Sequence, residues 1–131
     1  MLGYCTLGTS DLKAAAEFYE PIALILGHTR IMETERNVMW GSPGKGAMFG
    51  VITPYDGDPA TPGNGTMFGF DAQTEEQVHR VYDHALANGG SDEGPPGPRD
   101  WGIPLYVAYL RDPDGNKLCA LFMTGEPGEG S

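Results

Sequence analysis

A strand-like segment, a helix-like segment and three further strand-like segments follow one another in the first half of the chain. Residues 2–9 predict a strand, and the apolar positions from Leu12 to Leu26 recur at the spacing of one helix face. Pro21 lies inside this helix, where it removes a backbone donor, so we expect a kink or a break there. The three strands that follow are predicted at residues 28–35, 37–42 and 47–53.

The same order of elements returns after a proline- and glycine-rich loop at residues 54–65. Residues 66–71 predict a strand, and Thr74 with Gln77 fits a capping box at the start of a second helix. Gly89–Gly90 ends this helix, and further strands follow. The repetition predicts an α+β fold of two βαβββ modules. We expect one domain with module one at about residues 1–54, module two at about 65–124 and a flexible tail at 125–131.

The last two predicted strands are joined by the turn Asp112-Pro-Asp-Gly-Asn116, in which the proline presets φ and the glycine accepts a positive φ. This hairpin resembles the one that closes many domains of the vicinal-oxygen-chelate superfamily, which includes glyoxalases, extradiol dioxygenases and bleomycin-resistance proteins. The segment from Leu7 to Tyr19 looks like the opening strand and helix of that superfamily. Residues 57–70 resemble the mid-chain junction of its small bacterial glyoxalase-like members. The resemblance implies a curved mixed β-sheet cup with both helices on its outer face, and a homodimer.

The charge of the chain argues against several classes of partner. Eighteen acidic and 8 basic residues give a formal net charge of −10, which repels nucleic acid and anionic membrane surfaces. No apolar run is long enough to span a membrane, and the N-terminus lacks a signal-peptide pattern, so we expect a cytoplasmic protein. Cys5 and Cys119 lack the spacing of a thiolate metal motif, which suits a reducing compartment.

In the metal-dependent members, the resemblance implies ligands on the first and last strands of each module. Counting back from the helix caps gives Tyr4 and Met67, and the closing hairpin gives Cys119 or the residue before it. The fourth position, near residues 49–50, stays open, but residues 42–54 contain no Asp, Glu or His. Catalytic metals prefer imidazole and carboxylate ligands, so we expect no metal and no other cofactor.

Strand alternation predicts which side chains would line the cup. A hairpin closed by Arg111 and Asn116 pairs Tyr106 with Leu121 and places Tyr106 on the same face as Cys119. The predicted lining is aromatic and apolar: Tyr4, Met67, Tyr106 and Cys119, with Trp40 or Met39 from the middle strand.

Arg99 is the candidate polar contact at the mouth of the cup. It lies beside Trp101 in a proline-rich loop, where its guanidinium could hold a carboxylate or phosphate in bidentate geometry. The alternative is an ordinary ion pair with Asp100 or Asp92. Cys119 has no histidine mapped near it, so we interpret it as a small apolar filler and not as a nucleophile.

These features favour a protein that binds a small organic ligand without the metal of its relatives, as the bleomycin-resistance proteins do. Two alternatives stay open. One is a metal-dependent enzyme of the glyoxalase or dioxygenase type, hence a lyase or a dioxygenase. The other is a structural or interaction domain whose cup is filled by its own side chains. The identity of the ligand does not follow from the sequence.

Overall fold

The computed structural model describes residues 1–125, and the part of the predicted tail beyond Gly125 lies outside them. The elements are β1 (Tyr4–Gly8), α1 (Leu12–Ile25), β2 (Thr29–Glu33), β3 (Asn37–Gly41), β4 (Met48–Ile52), β5 (Phe68–Asp71), α2 (Glu75–Ala87), β6 (Ser91–Asp100), β7 (Pro104–Arg111) and β8 (Lys117–Met123). The α+β class and the repeated βαβββ order are therefore confirmed. No helix within residues 1–125 is long and apolar enough to cross a membrane.

Backbone hydrogen bonds divide the strands into two four-stranded mixed sheets, one in each module. Their strand orders are β1-β4-β3-β2 and β5-β8-β7-β6, with β1–β4 and β5–β8 parallel and the other neighbours antiparallel. The chain forms two compact units: Met1–Thr66 with Pro113–Asn116, and Met67–Asp112 with the chain from Lys117 onward. The boundary at Thr66 falls at the end of the predicted linker. The expected cup stays a prediction.

Helix α1 runs through Pro21 without ending there. An interior proline costs a helix about 3 kcal/mol because it removes a hydrogen bond and crowds the preceding turn. Tyr19 and Ile22, on either side of the proline, are both fully buried, and burying a large apolar side chain stabilises a fold by about 1.5–3 kcal/mol. Burial of these two residues offsets the cost of the proline, so the expectation of a break was wrong.

Helix α2 covers one face of the second sheet. Its cap is formed by Thr74, whose hydroxyl accepts a hydrogen bond from the backbone N of Gln77 at 3.1 Å, as the capping box predicted. Its buried residues are Val78, Val81 and Ala85, which lie on a single stripe of the helix. Strands β7 and β8 supply buried side chains at alternating positions, none more than 1% exposed: Ala108, Leu110, Leu118 and Ala120.

The β7–β8 hairpin has a register one residue away from the predicted one. Arg111 pairs with Lys117, whereas the sequence predicted Asn116 as its partner. Asn116 leaves the ladder because its side chain is buried and its Nδ2 donates to the carbonyl oxygen of Gly8 at 3.0 Å. The predicted register was therefore wrong. Since side chains alternate along a strand, a shift of one residue changes which side chains of β7 and β8 share a face.

Replacing Asn116 by alanine should lower the free energy of unfolding by about 1–3 kcal/mol, because the carbonyl of Gly8 loses its donor. Urea unfolding followed by circular dichroism measures this change. Asn64→Ala is the matched control, since Asn64 is exposed and its removal should change stability by less than about 0.5 kcal/mol. Equal stability of the two variants would show that the amide of Asn116 does not hold the turn.

Candidate functional site

In the first module, Tyr4 and Trp40 occupy contrasting environments. Tyr4 begins β1 and is 64% exposed, whereas Trp40 is fully buried. The indole of Trp40 stacks on Phe49 with 5.2 Å between ring centroids and lies 6.2 Å from the ring of Tyr19 in α1. Its Nε1 donates to the carboxylate of Glu20. Trp40 therefore belongs to the core under α1 and offers no surface to a ligand.

The face of the first sheet away from α1 carries methionine and glycine. Tyr4 pairs with Met48 and Thr6 pairs with Gly50. Met39, the predicted alternative to Trp40, is buried and lies against Gly50 so closely that no side chain would fit there. Residues 49 and 50, near which the fourth ligand position was expected from the sequence, carry no imidazole or carboxylate.

The second sheet separates Tyr106 from Cys119. The hydroxyl of Tyr106 is hydrogen-bonded to Nε2 of His79 in α2 at 2.7 Å, so Tyr106 lies on the helix-covered face. Cys119 pairs with Gly69 and with Tyr109, and alternation along β7 puts Tyr109 on the other face. The prediction that Tyr106 and Cys119 line one surface was wrong, as a result of the register shift. We call the face away from α2, with Gly69, Tyr109 and Cys119 on it, the Tyr109 face.

Arg99 shares the Tyr109 face. Its backbone pairs with Leu105 of β7, and its guanidinium folds back along β6 over two glycines. A Cβ on Gly97 would lie 3.0 Å from Nη1, and a Cβ on Gly94 would lie 3.7 Å from Nη2 and 3.2 Å from Cδ2 of Tyr109. The missing side chains of the two glycines leave room for the guanidinium on the face that carries Tyr109.

The guanidinium of Arg99 has no carboxylate partner among residues 1–125. It donates to two proline carbonyl oxygens in β6 at 3.1 and 3.2 Å. Asp92 accepts from the hydroxyl of Tyr82 at 2.9 Å, and Asp100 accepts from the backbone N of Gly102 at 2.9 Å. The ion pair with Asp92 or Asp100 that the sequence left open as an alternative does not form.

Trp101, Tyr109 and Lys117 complete this surface, although sequence reasoning did not select them as site residues. Nε1 of Trp101 donates to the hydroxyl of Tyr109 at 3.1 Å, while the indole stays 69% exposed. Nζ of Lys117 lies 5.9 Å from the centroid of the Tyr109 ring, within the range of a cation–π interaction. The correct hairpin register would have identified Tyr109, because it is the cross-strand partner of Cys119.

Comparison with known proteins decides the family. The sequence matches the model of the Glyoxalase/Bleomycin resistance protein/Dioxygenase superfamily over residues 1–120. The chain belongs to this superfamily. A glyoxalase/bleomycin resistance protein from Albidiferax ferrireducens is 42% identical, with a TM-score of 0.86 over 92% of this chain and 98% of that one.

More distant solved structures share the fold of this superfamily member. A glyoxalase/bleomycin resistance protein/dioxygenase family enzyme from Burkholderia phytofirmans is 20% identical, with a TM-score of 0.71 over 91% of this chain and 95% of that one. A lactoylglutathione lyase from Agrobacterium tumefaciens is 19% identical, with a TM-score of 0.62 over 92% and 91%. No curated protein matches the sequence significantly.

The donors at the predicted ligand positions do not fit a catalytic metal of the glyoxalase type. Tyr4, Met67 and Cys119 provide a phenol, a thioether and a buried thiol, whereas open metal sites use imidazole and carboxylate ligands. Within residues 1–125, no three His, Cys, Asp or Glu side chains come together as a metal ion would require. No chemical step through a metal follows from these residues.

The thiol of Cys119 is only 4% exposed. Burial raises its pKa to about 11, and the nearby ammonium group of Lys117 opposes this shift only in part. A Cβ on Gly69 would lie 3.2 Å from Sγ, so the thiol fills the space above the neighbouring strand. Since the thiolate is the nucleophilic form, Cys119 fills space within the sheet and is not a reactive group.

A depression of about 390 Å³ lies in the first module, beside the turn between β2 and β3. Most of its lining is polar and none of it is aromatic: Thr34, Glu35, Arg36, Asn37 and Ile52. Sites for small organic molecules are usually dominated by apolar and aromatic walls. The Tyr109 face fits that description better than this depression does.

Alkylation of Cys119 by iodoacetamide should be slow at neutral pH and should rise about tenfold per pH unit up to pH 10, because only the thiolate reacts. No plateau is expected in this range, since the pKa is about 11. A Cys5→Ser variant isolates the signal of Cys119, and mass spectrometry measures the rate. A plateau beginning near pH 8.5, the ordinary value for a free thiol, would contradict the burial described here.

Proposed function

We propose that this protein binds a small, partly aromatic or apolar organic molecule on the Tyr109 face and does not transform it. The observation that carries this proposal is the grouping of Tyr109 with the exposed indole of Trp101. Beside them lies Arg99, whose guanidinium forms no ion pair within residues 1–125. Aromatic walls with a small number of directed polar groups are typical of ligand sites.

Other predicted site residues contribute to different extents. Met67 directly precedes β5 and is 46% exposed, so we propose that its thioether adds apolar contact area in the second module. The involvement of Tyr4 stays a prediction. Trp40 and Tyr106 are not part of the proposed surface, because the first is buried in the core and the second contacts α2.

Binding without chemistry is the function that these side chains support best. The donor set disfavours a metal-dependent glyoxalase or dioxygenase, and the buried Cys119 disfavours covalent catalysis through its thiol. The bleomycin-resistance proteins of the superfamily are the functional precedent for binding alone. The remaining alternative, a structural or interaction domain, requires that the Tyr109 face bind no small molecule.

We also propose a cytoplasmic homodimer, which the resemblance to small superfamily members suggests. Strand β1 is an edge of its sheet. Tyr4 at its start and Leu2, two residues before it, are 64% and 67% exposed. An edge strand with exposed apolar side chains is suited to pairing with a second copy.

Light scattering that gives the monomer mass of 14.0 kDa at micromolar concentration would contradict the dimer.

Tyr109→Ala should weaken binding of a ligand identified by thermal-shift screening of metabolites and antibiotics. We expect a loss of about 1–3 kcal/mol, the value of burying a large side chain, measured by isothermal titration calorimetry. Tyr106→Ala is the matched control, because it removes the same side chain from the opposite face of the same strand and should change the affinity by less than about 0.5 kcal/mol. An equal loss in both folded variants, or in neither, would place the ligand elsewhere.

Protein purified without chelators should carry well below one equivalent of Zn, Mn, Fe or Ni, because Tyr4, Met67 and Cys119 are poor ligands for these ions. Elemental analysis by mass spectrometry measures the content. Ligand affinity should be the same before and after treatment with EDTA. A stoichiometric metal whose removal abolishes binding would overturn the metal-free proposal and favour the enzyme alternative.

A further inference from the structure

We infer that the molecule bound on the Tyr109 face is an aromatic anion, whose ring packs beside Tyr109 and Trp101 and whose acidic group is held by Arg99 and Lys117. This inference rests on the proposed function and adds the chemical class of the ligand. Its basis is the juxtaposition of two cationic side chains with an aromatic pair on one face of a sheet.

The two cations stand out because the chain is strongly acidic, with 18 acidic against 8 basic residues. A Cβ atom on Gly94 would lie 3.7 Å from Nη2 of Arg99 and 3.2 Å from Cδ2 of Tyr109. Nζ of Lys117 is 5.9 Å from the centroid of the Tyr109 ring. Neither cation forms an ion pair within residues 1–125. Both cations therefore lie on the Tyr109 face without a carboxylate partner from the described part of the chain, where an acidic ligand group could supply one.

In the part of the chain that the structure describes, the neighbouring carboxylates do not form ion pairs with Arg99 or Lys117. Glu93 of β6 is paired with Arg111 at 2.6 Å. Asp71 lies on strand β5, at the opposite edge of the sheet from β6, which carries Arg99. Three strand spacings of about 4.8 Å separate these two edges. Lys117 lies on β8, next to β5, but Asp71 pairs with Leu121, which is four residues further along that strand. Within residues 1–125, neither Arg99 nor Lys117 is in ion-pair contact with a carboxylate.

The geometry of Arg99 suits a planar acidic group. A guanidinium has five N–H donors in one plane, and Arg99 uses two of its N–H groups on carbonyl oxygens of β6. The remaining donors are available to a carboxylate, which accepts such hydrogen bonds in a planar fork.

The aromatic pair explains why the anion should carry a ring. The hydroxyl of Tyr109 is held by Nε1 of Trp101, so the hydrogen bond orients both rings without covering the exposed indole. Aromatic rings attract other rings in stacked or edge-to-face arrangements. An aromatic carboxylate can pack against the two rings and accept hydrogen bonds from the two cations. An inorganic anion can interact only with the cations.

Titration with three isosteric probes tests the inference: the anion benzoate, the neutral benzamide and the cation benzamidine. The reporter is the indole N–H signal of Trp101 in a ¹H–¹⁵N NMR spectrum. The chain has only 2 tryptophans, and the buried Trp40 in the first module serves as an internal control. Benzoate should shift the Trp101 signal in a saturable way with an affinity roughly tenfold or more above that of benzamide. Benzamidine should cause no shift.

Charge-neutral variants identify the residues that select the anion. Arg99→Gln and Lys117→Gln should each lower the affinity for benzoate several-fold and leave that for benzamide unchanged. Arg80→Gln, on the exposed surface of α2, makes the same change in net charge and should have no effect. If Arg99→Gln does not fold, Arg99→Lys, which keeps the charge and loses the fork, replaces it and should also weaken benzoate binding.

Two outcomes would overturn the inference in different ways. Equal saturable shifts of Trp101 by benzoate and benzamide, or unchanged benzoate affinity in the Arg99 and Lys117 variants, would leave the proposed binding face intact but refute its preference for anions. If no probe shifts the Trp101 signal at about 20 mM, a concentration well above the dissociation constant of a millimolar site, the result contradicts both the inference and the proposed function.

Discussion

The buried side-chain amide of Asn116 is the contact on which the arrangement of the second sheet depends. Its hydrogen bond to the carbonyl of Gly8 removes Asn116 from the β7–β8 ladder, so that Arg111 pairs with Lys117. The register that results determines which side chains meet on each face of the sheet. With any register shifted by one residue, Tyr109 would no longer be the partner of Cys119.

That register separates two tyrosines with different roles. Tyr106 is hydrogen-bonded to His79 of α2 and so belongs to the packing of the helix on the sheet. Tyr109 is on the other face, where Trp101 donates to its hydroxyl and the cations of Arg99 and Lys117 lie near its ring. The same β-strand thus supplies both the core of the module and the surface that we propose for the ligand.

Most of the fold could be predicted from the sequence because its signals are local. The helix cap at Thr74 and the order of the βαβββ elements follow from local sequence patterns, and both are confirmed. The predicted strands lie at the right places but are longer than the observed ones, for example residues 2–9 against Tyr4–Gly8. The register was not predictable in this way, because the partner of Asn116 is far away in sequence, at Gly8. The helix continues through Pro21 for a similar reason, since the burial of Tyr19 and Ile22 that offsets the cost of the proline depends on tertiary packing.

The candidate site was predicted less completely than the fold. Arg99 and Cys119 share one face of the second sheet, whereas Tyr106 lies on the opposite face and Trp40 is a core residue. The part of Arg99 and Cys119 in ligand binding stays a prediction. Trp101 was recognised only as a neighbour of Arg99, and Lys117 was not considered, because no short motif marks either residue. Their contacts with Tyr109 depend on the pairing of the strands.

The most direct measurement of the central claim is a crystal structure of the protein with a ligand found by thermal-shift screening. We expect the ligand to lie within about 4 Å of Tyr109 and Trp101, with an acidic group on Arg99 and no metal ion beside Cys119. A ligand bound at a metal ion, or bound away from Tyr109, would contradict the claim that the Tyr109 face is a metal-free binding surface.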